Sequence, residues 1–443
     1  MANTFLSRSN SSGTSTQKGT ISVWIKGSEE PSGNNQTTLA CWGNANNHGA
    51  LIWNGGDKID AFDYQSGYAS QLQTNALLRD SSAWYHIVYA WDTTLSTAND
   101  RQKIYINGIE QTYSTRTNYS TNAATSWNAN SYSMRVGGLN SSSYFNGLMS
   151  HIHFIDGIAY APTLFGETDS TTGQWKIKTS PSVTYGNNGF FVLKDGITIT
   201  DSSPNSNNFA VTGGTLTKTE DSPSNNFATL NPLVQGTSNN ARTFANGNNT
   251  ITLGRDSAAI SSLGVTSGKY YCEIKCVTDA ANPVIGIAKE GSPATVNPWG
   301  GSNLVGTNEY GYVSDGKKKG NAGSFTNYGS TWTTGDIISI AYNATIGAIW
   351  FGKNGTWQNN ATDAQIAAGT TTYAAFTGLS GLFFFGCCDA ATPTGDKFSS
   401  NFGNGYFGTT AVSSAGTNAS GNGIFEYNVP AGFTALSTKG LNL

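Results

Sequence analysis

Charge is scarce in this sequence. Lys, Arg, Asp and Glu supply 12% of the 443 residues, against roughly 25% in ordinary soluble chains. The formal net charge is −3, and Lys317-Lys318-Lys319, which reads as a solvated loop, is the nearest thing to a basic run. Nucleic acid is therefore not an expected partner, because a phosphate backbone demands clustered Lys and Arg. Long apolar runs are missing too: no stretch offers the ~20 apolar residues that cross a bilayer, so no membrane insertion is expected. Residues 1–10 (MANTFLSRSN) lack an apolar core, and no secretory leader is expected. Cysteine is limited to Cys41, Cys272, Cys276, Cys387 and Cys388. The number is odd, the adjacent pair would not normally bridge itself, and no CxxC metal pair exists. Cys272 and Cys276 share a strand face with Tyr270 and Ile274, the pattern of buried thiols in a protein made in a reducing cytosol.

Aromatic residues are plentiful at 12%, amid Gly, Ser, Thr and Asn, so the chain can bury a core that a disordered chain could not. Residues 103–112 (KIYINGIEQT) alternate, break at Asn107-Gly108, and follow a second alternating run, 84–92 (WYHIVYAWD). Asn-Gly accepts the two left-handed positions of a type I′ turn, which predicts a hairpin. The same figure returns at 337–342 (IISIAY) and 348–357 (AIWFGKNGTW), with Asn354-Gly355 at the turn. Residues 20–26 place Ile21, Val23 and Ile25 on one face and Trp24 on the other. Further strands are expected at 39–42 and 50–53, separated by the polar loop 43–49, with a weaker one at 60–64. One helix is expected at 363–368, with Thr362 as N-cap and Gly369 as stop. Many short strands with Gly/Asn turns mean sandwiches or barrels. The expectation is all-β: two antiparallel sandwiches in series, over 1–219 and 241–443, joined by a Pro- and Asn-rich connector at 220–240.

The motifs also carry a resemblance. Leu6-Ser7-Arg8, Ser22-Val23-Trp24-Ile25, Trp84-Tyr85-His86-Ile87-Val88, Ile104-Tyr105-Ile106-Asn107-Gly108 and Phe145-Asn146-Gly147-Leu148, leading to His153-Phe154-Ile155-Asp156-Gly157, resemble the laminin-G-like/concanavalin A-like jelly roll. Gly268-Lys269-Tyr270-Tyr271-Cys272-Glu273, Val284-Ile285-Gly286-Ile287, Tyr310-Gly311-Tyr312, Gly335-Asp336-Ile337-Ile338 and Ile349-Trp350-Phe351-Gly352-Lys353-Asn354-Gly355 resemble a SPRY sandwich. The pairing, joined through 221–232 (DSPSNNFATLNP), is similar to structural proteins of tailed bacteriophages, especially marine and cyanobacterial ones. That resemblance implies a virion component, whether fibre, spike or capsid decoration, that contacts host-surface glycan. A purely architectural module, binding only other virion proteins, is the first alternative. A glycan-degrading enzyme is the second, since concanavalin A-like folds include glycosidases.

Glycoside hydrolysis needs two carboxylates at fixed separation. Glu167 and Asp169 come nearest to an E-x-D-x-x-E pattern, but the final acid is missing. Glu29-Glu30 sit before Pro31 in a loop. No G-x-S-x-G elbow accompanies a strand-to-helix switch. All four histidines lie in the first half, with His151 and His153 on one expected strand face but no evident further zinc ligands. The expected protein is therefore not an enzyme. Relatives of the first domain bind calcium at the sandwich rim, which the resemblance extends to Asp92, Asp100 and Asp156; no other cofactor is expected.

Sugars are held by an aromatic platform with a few placed polar groups. Loops offering both contain Trp42, Asn44, Asn46 and His48; Trp127 and Tyr132; Trp299; and Tyr328 and Trp332. Natural sandwiches guard open sheet edges with charge. With little charge present, neighbouring copies of the chain or other virion proteins are expected to cover some edges.

Overall fold

The structure, a computed structural model, describes residues 4–28, 35–140, 143–194, 198–234, 242–254, 257–280, 282–291, 307–389 and 395–442. The chain forms two compact units, Met1–Lys218 and Thr219–Leu443. Both are antiparallel sandwiches, as the alternation predicts.

In the first unit an eight-stranded sheet runs in the order Tyr113–Thr117, Tyr68–Thr74, Ile59–Gln65, Asn47–Trp53, Gln36–Asn44, Ser133–Val136, Phe5–Ser9, Ala210–Thr212. A six-stranded sheet runs Phe190–Val192, Gly147–Asp156, Lys18–Gly27, Tyr85–Asp92, Gln102–Ile106, Ile109–Glu110. Because a strand turns successive side chains to opposite faces, Ile21, Val23 and Ile25 meet Leu39, Leu51, Ala61 and Leu72 in one core. Trp24 points the other way and stacks on His86.

Non-strand segments are tied to this core by buried polar groups. Asp156 accepts from the backbone N–H groups of Thr14 (2.7 Å), Ser15 (3.0 Å) and Asn188 (3.0 Å), and from the Asn128 amide. Four donors saturate one carboxylate, and a buried backbone N–H left unmet is costly.

The second unit pairs Arg242–Ala245, Thr250–Leu253, Lys397–Asn401, Lys269–Thr278, Ile337–Asn343, Ala348–Lys353 and Thr356–Trp357 in one sheet, with Thr434–Ala435 parallel to Lys269–Thr278. The facing sheet contains Ser257–Val265, Phe383–Asp389, Val284–Lys289, Glu309–Val313, Lys317–Gly320 and Thr326–Asn327. Buried Glu273 straps a late segment onto the first of these sheets. Its carboxylate accepts from the backbone N–H of Glu426 and of Tyr427, both at 2.8 Å, and from the Tyr271 hydroxyl at 2.9 Å. Burial pushes its carboxyl up to about 7.

Several expectations are corrected. The loop read at 43–49 is mostly strand: Gln36–Asn44 and Asn47–Trp53 meet at a tight turn. The segment read as a connector begins the second unit, where Phe227, Ala228 and Leu230 are buried. Lys317–Gly320 is a strand rather than a solvated loop, and Lys318 lies over the rings of Tyr328 and Phe376. The nine-residue strand Ser257–Val265 carries no clear alternation. The helix forms at Asp363–Ala367, with Thr362 and Gln365 closing a reciprocal capping box. All five cysteines are buried.

The two Asn-Gly turns are one device used twice. Asn107 and Gly108 take φ of 49° and 79°; Asn354 and Gly355 take 48° and 80°. Each Asn also clamps the neighbouring strand. His86 N–H donates to Asn107 Oδ1 and Asn107 N–H to His86 O, both at 2.9 Å. Ile337 and Asn354 make the same pair of bonds at the same distance. A Cβ at Gly108 would fall 2.5 Å from the Trp175 ring, and one at Gly355 2.7 Å from Tyr427. Gly108→Val and Gly355→Val are each expected to lower stability by about 1–3 kcal/mol, the cost of holding a β-branched residue at positive φ. Urea unfolding of each variant measures this, and unchanged midpoints would contradict the turn assignment.

Candidate functional site

The outward face of the eight-stranded sheet carries an aromatic row. Trp42 pairs with His48, His48 with Tyr64, and Tyr64 with Tyr68. The inward positions of these strands hold Leu39, Cys41, Leu51, Ala61 and Leu72, so the alternation turns Trp42, His48 and Tyr64 outward, and a register shift at Asp63/Tyr64 brings Tyr68 onto the same face. Ring centroids lie 5.0 Å apart for Trp42–His48, 5.6 Å for His48–Tyr64 and 5.4 Å for Tyr64–Tyr68. At a strand spacing of ~4.8 Å the row crosses roughly 14 Å of sheet. Phe62 stands edge-on to His48 and Tyr68.

Polar groups flank both ends. At one, the Arg135 guanidinium lies over Trp42 at 5.4 Å and over Phe5 at 5.5 Å, and donates to Leu139 O at 2.6 Å. The tight turn beside it exposes Asn44 and Asn46. Asn44 Oδ1 accepts from Asn46 N–H at 2.8 Å, and Asn44 O lies 3.2 Å from His48 Nδ1. Partial burial lowers the His48 pKa, so the ring is neutral at neutral pH. A proton on Nδ1 then serves the Asn44 carbonyl, leaving Nε2 as acceptor.

At the other end Tyr68 is 53% exposed. Behind it Gln71 Nε2 and Gln73 Nε2 donate to Asp60 Oδ2 at 3.0 Å and 3.5 Å. Asp60 is buried, its Oδ1 has no hydrogen-bond partner among the described residues, and burial pushes its carboxyl up to about 6. Rings in a row, flanked by amide, guanidinium and carboxyl groups, form an apolar platform with polar groups at its margins. That is the chemistry of a sugar-binding surface.

The structure brings Trp42, Asn44, Asn46 and His48 together, and adds Tyr64, Phe62, Tyr68, Asp60 and Arg135. The signal for three of these lies in 59–65 (IDAFDYQ), whose alternation puts Asp60, Phe62 and Tyr64 on one face. The remaining loop aromatics are corrected. Trp127 is 0% exposed, packed against Tyr89 and Trp91 and above Gly49, where a Cβ would fall 2.8 Å from its ring. Tyr132 lies over Gly43 and is partly buried against the core. Tyr328 and Trp332 sit in the second core around Tyr312. Trp127, Tyr328 and Trp332 fill space that a sandwich must close and offer no free ring face. Trp299 lies outside the described residues, as do Glu29 and Glu30.

The aspartates suggested for calcium do not fit an ion. Asp156 is saturated by protein donors, Asp92 pairs with Lys18 at 3.0 Å and Thr94, and Asp100 pairs with Lys103 at 3.4 Å. Among the described residues no group of three His, Cys, Asp or Glu side chains is placed to hold a metal. His151 meets Ser150, and His153 meets the Tyr185 hydroxyl at 2.9 Å. Ser22 Oγ lies 2.8 Å from His86 Nε2, but Trp175 Nε1–H donates to His86 Nδ1. The neutral ring therefore carries its proton on Nε2 and donates to the serine, opposite to what activates a nucleophile. Glu167 and Asp169 lie on a hairpin with Lys176 and Lys178. Asp169 is held well below the usual range by the Thr172 and Thr171 N–H groups and by Lys176, whereas a general acid needs a raised value.

Asp60 supplies a pH test of the site. Its proton is retained to about 6 when folded, against an ordinary 3.8. The folded chain therefore binds more protons between those values, and stability falls as pH rises through them. Asp60→Asn is expected to stabilise the protein at pH 7.5 by up to about 3 kcal/mol, at about 1.4 kcal/mol per tenfold change in proton affinity. The gain should shrink toward zero below about pH 4, where both states are protonated. Urea midpoints of both proteins at the two pH values measure this, and an equal gain at both would refute the assigned burial.

The family model of the concanavalin A-like lectin/glucanases superfamily matches residues 3–159, and that of the SPRY domain matches 269–403. No curated protein matches. Among solved structures, the SPRY domain of human HERC1 aligns at 19% identity over 36% of this chain and 91% of its own, with a TM-score of 0.29. A human SPRY domain aligns at 14% identity over 34% and 90%, with a TM-score of 0.24. Domain 4 of AbnA, a GH43 extracellular arabinanase from Geobacillus stearothermophilus in complex with arabinotriose, aligns at 20% identity over 34% and 65%, with a TM-score of 0.27. The chain thus carries a concanavalin A-like domain followed in series by a SPRY domain.

Proposed function

We propose that this protein is a non-enzymatic carbohydrate-binding component of a phage virion, with the first unit's aromatic row as its glycan platform. The observation that carries the carbohydrate reading is the Trp42–His48–Tyr64–Tyr68 ladder. Four cross-strand rings make a face long enough for a short oligosaccharide, and polar side chains at both ends meet hydroxyl groups. The pairing of a concanavalin A-like with a SPRY domain suggests a binding module. The lowered pKa of Asp169, held by the Thr172 and Thr171 N–H groups and Lys176, and the direction of the Ser22–His86 hydrogen bond support binding over hydrolysis.

Display on a virion rests on the order of the sequence motifs and on the edges. The eight-stranded sheet ends on Ala210–Thr212, which is exposed and carries no charge, an edge that natural proteins cover. In this reading other virion proteins or further copies of the chain cover it.

Purified protein is expected to retain a subset of bacterial surface polysaccharides on a glycan array. Trp42→Ala and Tyr68→Ala should each weaken retention about tenfold or more, given about 1–3 kcal/mol for a lost ring contact. EDTA should leave retention unchanged. Retention that survives both substitutions would move the site elsewhere, and no retention of any glycan would favour the architectural role. Release of reducing ends, lost on Glu167→Ala with Asp169→Ala, would replace binding by hydrolysis.

A further inference from the structure

The second unit contains a cavity of about 310 Å³ on the outer side of its longer sheet. It is independent of the carbohydrate platform. Its floor is Tyr271, Ser339 and Gly352, from three adjacent strands. Trp357 and Asp363 form one side, and the segments 414–416 and 426–428 form the other. These last segments lie beyond the residues that the SPRY family model matches.

Its lining combines two properties. Three aromatic residues line it, Tyr271, Trp357 and Tyr427, with the rings of buried Tyr271 and of Trp357 edge-on at 6.3 Å. Its charged residues, Asp363 and Glu426, are both acidic, and among the described residues no Lys, Arg or His lines it. Both carboxylates are held in place. Trp357 Nε1–H donates to Asp363 Oδ1 at 2.6 Å, and Ser413 donates to Glu426 through its backbone N–H and its hydroxyl. Each carboxylate keeps acceptor capacity beyond these bonds. Glycine brings the rings down onto the sheet: a Cβ at Gly352 would fall 3.2 Å from Trp357, and one at Gly355 2.7 Å from Tyr427.

We propose that this cavity binds an organic ammonium group, held over the faces of Trp357 and Tyr427 and neutralised by Asp363 and Glu426. Aromatic faces attract a cation through their quadrupole, and more strongly when water is excluded. An anion would meet two carboxylates and no donor side chain of positive charge. A neutral apolar ligand would leave those carboxylates desolvated without return. The volume suits the head of a flexible chain, such as a choline-type headgroup or a lysine side chain.

Isothermal titration of the full-length protein tests this with three probes: choline, Nα-acetyl-lysine methylamide, and 3,3-dimethylbutanol, the uncharged carbon analogue of choline. At least one cation is expected to bind, and the neutral analogue at least about tenfold more weakly. A preference for choline assigns a quaternary headgroup; a preference for the lysine derivative assigns a protein side chain. Trp357→Ala should abolish binding. Glu426→Gln, which preserves shape, should weaken it about tenfold, with an unchanged melting temperature showing that the fold is intact. Equal binding of the neutral analogue, no binding of either cation, or full binding by a folded Glu426→Gln variant overturns the proposal.

Discussion

Register is the constraint on which the rest of this protein depends. A paired strand offers its two faces alternately, and slipping it by one residue exchanges them. In the first unit Leu39, Cys41, Leu51, Ala61 and Leu72 are committed to the core. Once they are, Trp42, His48 and Tyr64 have only the outward face left. The binding platform is thus the reverse side of the packing pattern. The Asn-Gly corners secure that register, because each asparagine bonds a neighbouring strand through side chain and backbone together.

The shortage of charge takes on meaning once burial is known. Part of the small stock of acids is spent inside the fold. Asp156 and Glu273 each accept from two or more backbone N–H groups of segments outside the regular strands, and Asp63 accepts from the Ser126 N–H and the Tyr119 hydroxyl. A carboxylate satisfies two or more such donors at one point, which a neutral acceptor does less strongly. Irregular segments in both units are fastened this way, while the surface is left to Asn, Ser and Thr.

The legible part of the fold was what repeats at short range. Both hairpins, the core face of Lys18–Gly27 and the capped helix follow from alternation, turn chemistry and capping within a few residues. The strands that escaped notice have weak local signals. Ser257–Val265 is rich in Ala and Ser without alternation, and takes its place because Phe383–Asp389 pairs along it. Half of the candidate site was legible, because Trp42 and His48 flank an Asn-rich turn. Arg135 joins it only through pairing between strands distant in sequence, and Tyr68 through an irregular register in the hairpin after Tyr64. The aromatic loops failed as candidates for one physical reason: a sandwich needs large side chains to plug its open ends, and Trp127, Tyr328 and Trp332 serve there.

Each unit also stitches its opening segment to its closing one. Phe5–Ser9 lies against Ala210–Thr212 in the first, and Ala228 N–H donates to Leu436 O in the second. Loop closure over so many residues is slow, because its entropy must be met before the contacts reward it. On the ribosome, neither sandwich can seal until its final segment has emerged. The first unit is able to finish while the second is still being made, and the central strand Lys269–Thr278 must wait for Lys397–Asn401 and Thr434–Ala435, a long interval in which a nascent chain exposes unpaired edges to chaperones.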